Sequence, residues 1–435
     1  MSEELKARKE KVFAANKNGY DRLPAAEEAA LQDYCTKYMD FLQKGKTERL
    51  CADLTVKLAE KHGFVQYKRG MALQTGDKVY SLNRGKSVIL AVIGKRPLAE
   101  GCQIAAAHID SPRLDLKPNP LYEDNELAYF KTHYYGGIRK YQWVTMPLAL
   151  YGVVALKDGS VVNVALGEGN EPKFVITDLL PHLGQEQGKK PLSEAIPAES
   201  LNILLGSRPV CGEDSERVKL TVMEKLNEKY GITEDDFTSA ELECVPALDV
   251  TDIGIDSSMI GAYGHDDRVC GYAALQAILD IGTPEKTAVC MLADKEEIGS
   301  MGVTGMQSAC FDTFMNDLCD GQNVLLRECY ENAFCLSADV TAAFDPNFAE
   351  VFEKKNAAYL NHGIGFCKYT GARGKSGASD AGAETVAYVR RVMDDAAVIW
   401  QIAELGKVDI GGGGTVAQYM ANRNIATLDA GVPVL

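Results

Sequence analysis

Two kinds of apolar pattern alternate along this chain. Near its start Leu31, Tyr34, Cys35, Tyr38, Phe41 and Leu42 recur every three or four residues among charged ones, which predicts helix over 25–62, and residues 3–17 read the same way. Next come short unbroken apolar runs, Lys86–Gly94 and Cys102–Ala107, the signature of strands in a sheet covered on both faces. From about residue 115 the pattern alternates and turns aromatic, punctuated by Gly and Pro: Tyr134-Tyr-Gly-Gly-Ile, Leu148–Leu156 and Val161–Leu166. That predicts a separate β-rich module running through a polar helical stretch near 215–230, with the α/β pattern resuming near Glu243 to Asp249. Beyond it, Arg268–Asp280 has helical periodicity, while Thr287–Ala293 and Phe334–Ala338 are apolar runs of strand length. The predicted architecture is α/β: a mixed, mostly parallel sheet flanked by helices, built from residues 1–114 and 249–435, with a β-rich domain inserted at 115–248.

Polar residues cluster where these runs stop. Cys102–Ala107 ends in His108-Ile-Asp110; Thr287–Ala293 ends in Asp294-Lys-Glu296-Glu297-Ile-Gly-Ser; Phe334–Ala338 ends in Asp339; and His265-Asp266-Asp267-Arg268 opens a helix. Such ends converge outside the carboxyl edge of an open α/β sheet. Adjacent side chains at a strand end diverge, so one carboxylate of the Glu296-Glu297 pair can bind a metal while the other faces a metal-bound water as general base. Each motif alone has a plainer reading: a packed histidine, a helix cap at Asp266 or Asp267, a solvated turn. Together they supply what a pair of zinc ions needs, a bridging carboxylate and further ligands on each side. Zinc fits this donor set, and cobalt or manganese suits it as well.

Composition narrows the partners. The 435 residues are 46% hydrophobic and 25% charged, and 61 acidic against 46 basic residues give a net charge of -15. That charge argues against nucleic acid or an anionic membrane as a partner. Twelve cysteines without a CxxC pair read as buried thiols in a reducing cytoplasm, and no stretch reaches the roughly 18 apolar residues of a membrane span.

His108-Ile-Asp110-Ser-Pro-Arg, Tyr135-Gly-Gly-Ile, Asp178-Leu-Leu-Pro-His182-Leu, Asp266-Asp267-Arg268, Asp294-Lys-Glu296-Glu297-Ile-Gly-Ser, Ser337-Ala-Asp339-Val and Pro346-Asn347 span the chain. In this order they resemble the aspartyl aminopeptidase family of two-metal exopeptidases. The resemblance implies hydrolysis of the N-terminal residue of peptides by a metal-activated water. His108 and Asp339 would hold one zinc, Asp266 would bridge, Glu297 would hold the second, and Glu296 would be the general acid/base. Asp110 would orient His108. It further implies that the inserted domain builds dimers on the way to a dodecamer and lends His182 to a neighbour's site.

Two departures from the family pattern stand out. Val340–Ala343 lacks the histidine that usually follows the last metal-binding aspartate, which leaves substrate preference open. The family's final zinc ligand is a histidine a few residues beyond a Gly-x-Pro strand, and the sequence given stops at Ala430-Gly-Val-Pro-Val-Leu435. The expectation is a truncated chain or, if it is whole, weak binding of the second metal and low activity, down to a silent scaffold of the same fold.

Lys368, Arg373 and Lys375 form a basic loop that suits an acidic N-terminal residue, or simply solvent. The Gly411–Gly414 loop, with Gly413 at its centre, can offer backbone N–H groups to a substrate or make a tight turn. Gly374-Lys375-Ser376 suggests a phosphate-binding protein instead. The glycine that a phosphate loop needs five residues earlier is Tyr369, so that reading fails.

Overall fold

A computed structural model describes residues 3–13, 18–212 and 215–435. Its contacts divide the chain into two compact units: residues 1–41, 52–109 and 265–435, and residues 42–51 and 110–264.

The first unit holds a nine-stranded mixed sheet. Four central strands, Ala288–Ala293, Gln103–His108, Phe334–Ser337 and Ala426–Gly431, lie side by side and parallel. Ser87–Val92 flanks them antiparallel on one side and Ile364–Cys367 antiparallel on the other. The apolar runs at 86–94 and 102–107 are consecutive in sequence yet not adjacent in space, because Ala288–Ala293 lies between them. Burial explains the runs: all six residues of Ser87–Val92 are buried, as are the last five of Ala288–Ala293. Against Ile89, Ile104, Val289 and Met291 pack Phe311, Phe314, Met315 and Leu318 of the Cys310–Asp320 helix. The helix His265–Asp280 also packs on the central strands. It comes so close at Gly271 that a Cβ there would meet the carbonyl of His108 at 3.4 Å.

The helical prediction over 25–62 resolves into two helices, Glu28–Lys44 and Glu48–Lys61. The break has a local cause: the Thr47 hydroxyl accepts the N–H of Leu50 at 3.3 Å, capping the second helix. The first predicted helix spans Glu3–Val12, and residues 14–17 of the prediction lie outside the described residues.

The second unit is built on a seven-stranded sheet whose neighbouring pairs are all antiparallel. Ala240–Pro246 sits inside it, paired with Leu148–Ala155 and Arg113–Asp124. The α/β pattern therefore does not resume near Glu243, because a short apolar run looks the same whichever sheet buries it. In the middle of this unit the buried Arg113 guanidinium meets Asp115 at 2.7 Å, Glu243 at 3.3 Å and Glu48 at 3.4 Å. It also stacks 3.8 Å from the Tyr135 ring centre.

A candidate metal centre at the strand ends

His108 is the last residue of its strand and is only 1% exposed. Its Nε2 lies 3.2 Å from Asp266 Oδ1, 3.9 Å from Asp339 Oδ1 and 4.0 Å from Glu296 Oε2. Three separate pieces of chain bring those acids to it. Asp339 follows the neighbouring parallel strand, and Glu296 and Glu297 lie in a single 3-10 turn just beyond the other neighbour. Asp266 sits at the mouth of the 265–280 helix, where the backbone of Asp266 and Asp267 is not yet helical.

The local sequence explains why each acid is held. Asp294, buried at the start of the Glu296 turn, accepts the Thr304 hydroxyl at 2.5 Å, and Ser300 N–H closes the turn on Lys295 O at 2.6 Å. Gly431 is needed beside Asp339, since a Cβ there would lie 1.5 Å from the Asp339 carbonyl oxygen. Buried Arg268 donates from Nε to the Ile109 carbonyl at 3.1 Å, fixing the backbone just past His108.

Ligand-type atoms gather in two groups that share the imidazole. His108, Asp267 and Asp339 form one, and His108, Asp266 and Glu297 the other, with all atoms in each group within 4.8 Å of one another. The carboxyls of Asp267 and Asp339 are held well above the usual range. Burial is the main cause for both; the neighbouring Asp267 adds to it at Asp339, while His108 opposes it in both. Acids packed this closely repel unless a cation lies among them, and one imidazole with several carboxylate oxygens suits a divalent ion. The residues present fit a metal.

His108, Asp266, Glu296, Glu297 and Asp339 thus come together as the sequence predicted. Asp267 is an addition. Its signal was visible as the second half of Asp266-Asp267, but two successive acids at a helix start cannot be ranked without the backbone that aims them.

The other candidates lie in different settings. Asp110 belongs to the second unit, is buried, and accepts the Tyr135 hydroxyl at 2.7 Å. His182 is exposed in that unit, beside exposed Leu180 and Leu183. Lys368 pairs with Asp380 at 2.8 Å, and Lys375 pairs with the same carboxylate at 3.2 Å while sitting 4.0 Å above the Tyr369 ring. Lys368 and then Lys375 hold the Asp380 carboxyl below its ordinary range. Residues 372–376 close a tight hairpin, Ser376 N–H to Ala372 O at 2.7 Å, so the Gly374-Lys375-Ser376 backbone does not wrap a phosphate. Gly413 donates its own N–H to Thr370 O at 2.9 Å.

The Aminopeptidase I zinc metalloprotease (M18) family model matches residues 41–435. The chain belongs to the M18 family. A probable M18 family aminopeptidase 1 from Clostridium acetobutylicum is 51% identical over 426 residues, covering 96% of this chain and 91% of that protein. The crystal structure of an M18 aminopeptidase from Thermotoga maritima superposes with a TM-score of 0.93 at 42% identity, over 97% of this chain and 94% of the other. The dodecamer of S. cerevisiae mApe1 shares the M18 fold at a TM-score of 0.75 and 21% identity, over 93% of this chain and 91% of its own. The mixed α/β fold and the metalloaminopeptidase class follow from that membership, zinc being the metal of the family's description. Among the described residues no helix is long and apolar enough to cross a membrane.

Proposed function

We propose that this M18 protein removes N-terminal residues from peptides at the His108 cluster. The observation that carries the reading is the convergence of one buried imidazole and five carboxylates from four separated stretches of chain. His108, Asp266, Asp267, Glu297 and Asp339 would hold two divalent ions, zinc first, with Asp266 between them. Bound there, the ions supply Lewis acidity and lower the pKa of water.

Glu296 has the general acid/base role. Its side chain is 16% exposed, open enough to meet a water, and 4.0 Å from His108 Nε2. It takes the proton of the attacking water and returns it to the leaving amine. Asp110, two residues past His108, has the orienting role and is itself held by Tyr135. Because Gly413 has spent its N–H, the carbonyl-binding donors of the glycine loop are those of Gly412 and Gly414. Lys368 and Lys375, drawn together by Asp380, give the site a preference for acidic N-terminal residues.

The same reading makes the protein a homo-oligomer, dimers building towards a dodecamer, with His182 serving a neighbour's site. Exposed Leu179, Leu180 and Leu183 around His182 support a covered face, and all twelve cysteines are free thiols, which suits the cytoplasm.

The test is a panel of acidic, neutral and basic aminoacyl reporters assayed with zinc, cobalt and manganese, alongside metal analysis. Metal-dependent release of the acidic reporter supports the reading. Stoichiometric metal without cleavage of any reporter points to a silent scaffold.

A further inference from the structure

Asp429 is a buried acid that the proposed chemistry leaves idle. It lies inside the Ala426–Gly431 strand, 3% exposed, with no basic side chain paired to it among the described residues. What it holds is a hydroxyl: Thr415 Oγ1 donates to Asp429 Oδ2. Thr415 closes the Gly411–Gly414 loop, and its oxygen also accepts Ala417 N–H at 3.3 Å. Four residues further on, Tyr419 donates its hydroxyl to the Gly299 carbonyl at 2.9 Å, and the Gln307 amide meets that oxygen at 2.8 Å. Gly299 in turn closes the catalytic turn, its N–H on Glu296 O at 2.8 Å. The segment 415–419 is therefore pinned at one end to a central strand and at the other to the backbone that carries Glu296.

We propose that Asp429 is a positioning residue which, through Thr415, fixes the Gly412 and Gly414 amides against the scissile carbonyl and in register with Glu296. The proposal rests on the reading that the glycine loop meets the substrate. Burial pushes the Asp429 carboxyl up to about 6, opposed by the hydroxyls of Ser337 and Thr415. An apolar residue would fill this strand position without that cost, so the carboxylate's use lies in what it holds.

The experiment compares Thr415→Val, Thr415→Ser, Asp429→Leu, the Thr415→Val/Asp429→Leu pair and Gly414→Pro in the metal-loaded enzyme, with kcat, KM and Tm measured for each. Thr415→Val is expected to lower kcat about 10- to 100-fold at wild-type metal content with a modest drop in Tm, Thr415→Ser to restore both, and the double variant to lose no more turnover than one single variant. Wild-type kcat in Thr415→Val, or no rescue by Ser, overturns the proposal even if Asp429→Leu fails to fold. Gly414→Pro deletes an amide and separates the two ideas. If it cripples turnover while Thr415→Val does not, only the Asp429 proposal falls; if it is neutral, Gly414 does not serve the substrate, and the proposal, which needs that amide, falls.

Discussion

In the antiparallel unit, Glu48, Asp115 and Glu243 close on the Arg113 guanidinium; in the other, Asp266, Asp267, Glu297 and Asp339 close on the ring of His108. The first lies within its sheet; the second stands at strand ends, where Asp267 is buried and Asp266 exposed. The first carries its own permanent cation, which offsets acid against acid without outside help. Burial still drives the Glu243 carboxyl up, with Glu48 adding to the push and Arg113 opposing it. The second gathers its acids around an imidazole, a weak and conditional cation. Perturbed acids alone do not mark a functional site. The acids to suspect are those gathered around a ring that can lose its charge.

Substitutions can break that contrast, and the largest effect is on chemistry. Glu296→Gln keeps the side chain's size but cannot take a proton, so kcat should fall about 10²- to 10⁴-fold. Zinc binding by calorimetry should stay close to wild type; loss of metal along with activity would make Glu296 a ligand instead. In the self-compensated cluster, Arg113→Met strands three acids, and chemical denaturation should show a loss of about 3–5 kcal/mol that added zinc does not restore.

Asp429 buries a carboxyl a third way, held by the Thr415 hydroxyl with no cation paired to it among the described residues, and its effect is read from pH. Its folded pKa of about 6 lies above the ordinary 3.8, so the folded state binds more protons between those values. The contribution of Asp429 to stability is then greatest below about pH 4, falls as pH rises through 6, and stays low above. Asp429→Asn removes that dependence and should be more stable than wild type at pH 7.5 by roughly 2–3 kcal/mol, with no gain at pH 4. A gain independent of pH would show that the carboxyl is not titrating in this window.

Zinc at about a hundred times its dissociation constant should stabilise the wild type by about 2.7 kcal/mol in a thermal melt, and Asp267→Asn should lose most of that gain. An unchanged zinc response in Asp267→Asn would remove Asp267 from the ligand set. The smallest effect belongs to Lys368, an exposed cation already shared with Asp380: Lys368→Ala should reduce the preference for an acidic over a neutral reporter about fivefold. No change would return the basic loop to solvent.

Much of the centre is legible in the chain because burial and function leave opposite marks. An apolar run such as Thr287–Ala293 announces a buried strand, and the acids directly after it have no reason to follow such a run except to stand at its open end. Tertiary contacts decide what the runs leave undetermined. Asp266 and Asp267 are equal in sequence, and the non-helical backbone at both residues sends each to its own group around His108. The strand at Glu243 could join either sheet, and its register with Leu148–Ala155 chooses the antiparallel one.

By itself the sequence determined which segments would be buried and which acids would stand at their ends, since period and composition are local. Only the folded chain decided which acids face one another, which backbone donors are already spent, as at Gly413, and which buried charges arrive with a partner, as at Arg113. Those depend on distances between residues far apart along the chain, which no local pattern encodes.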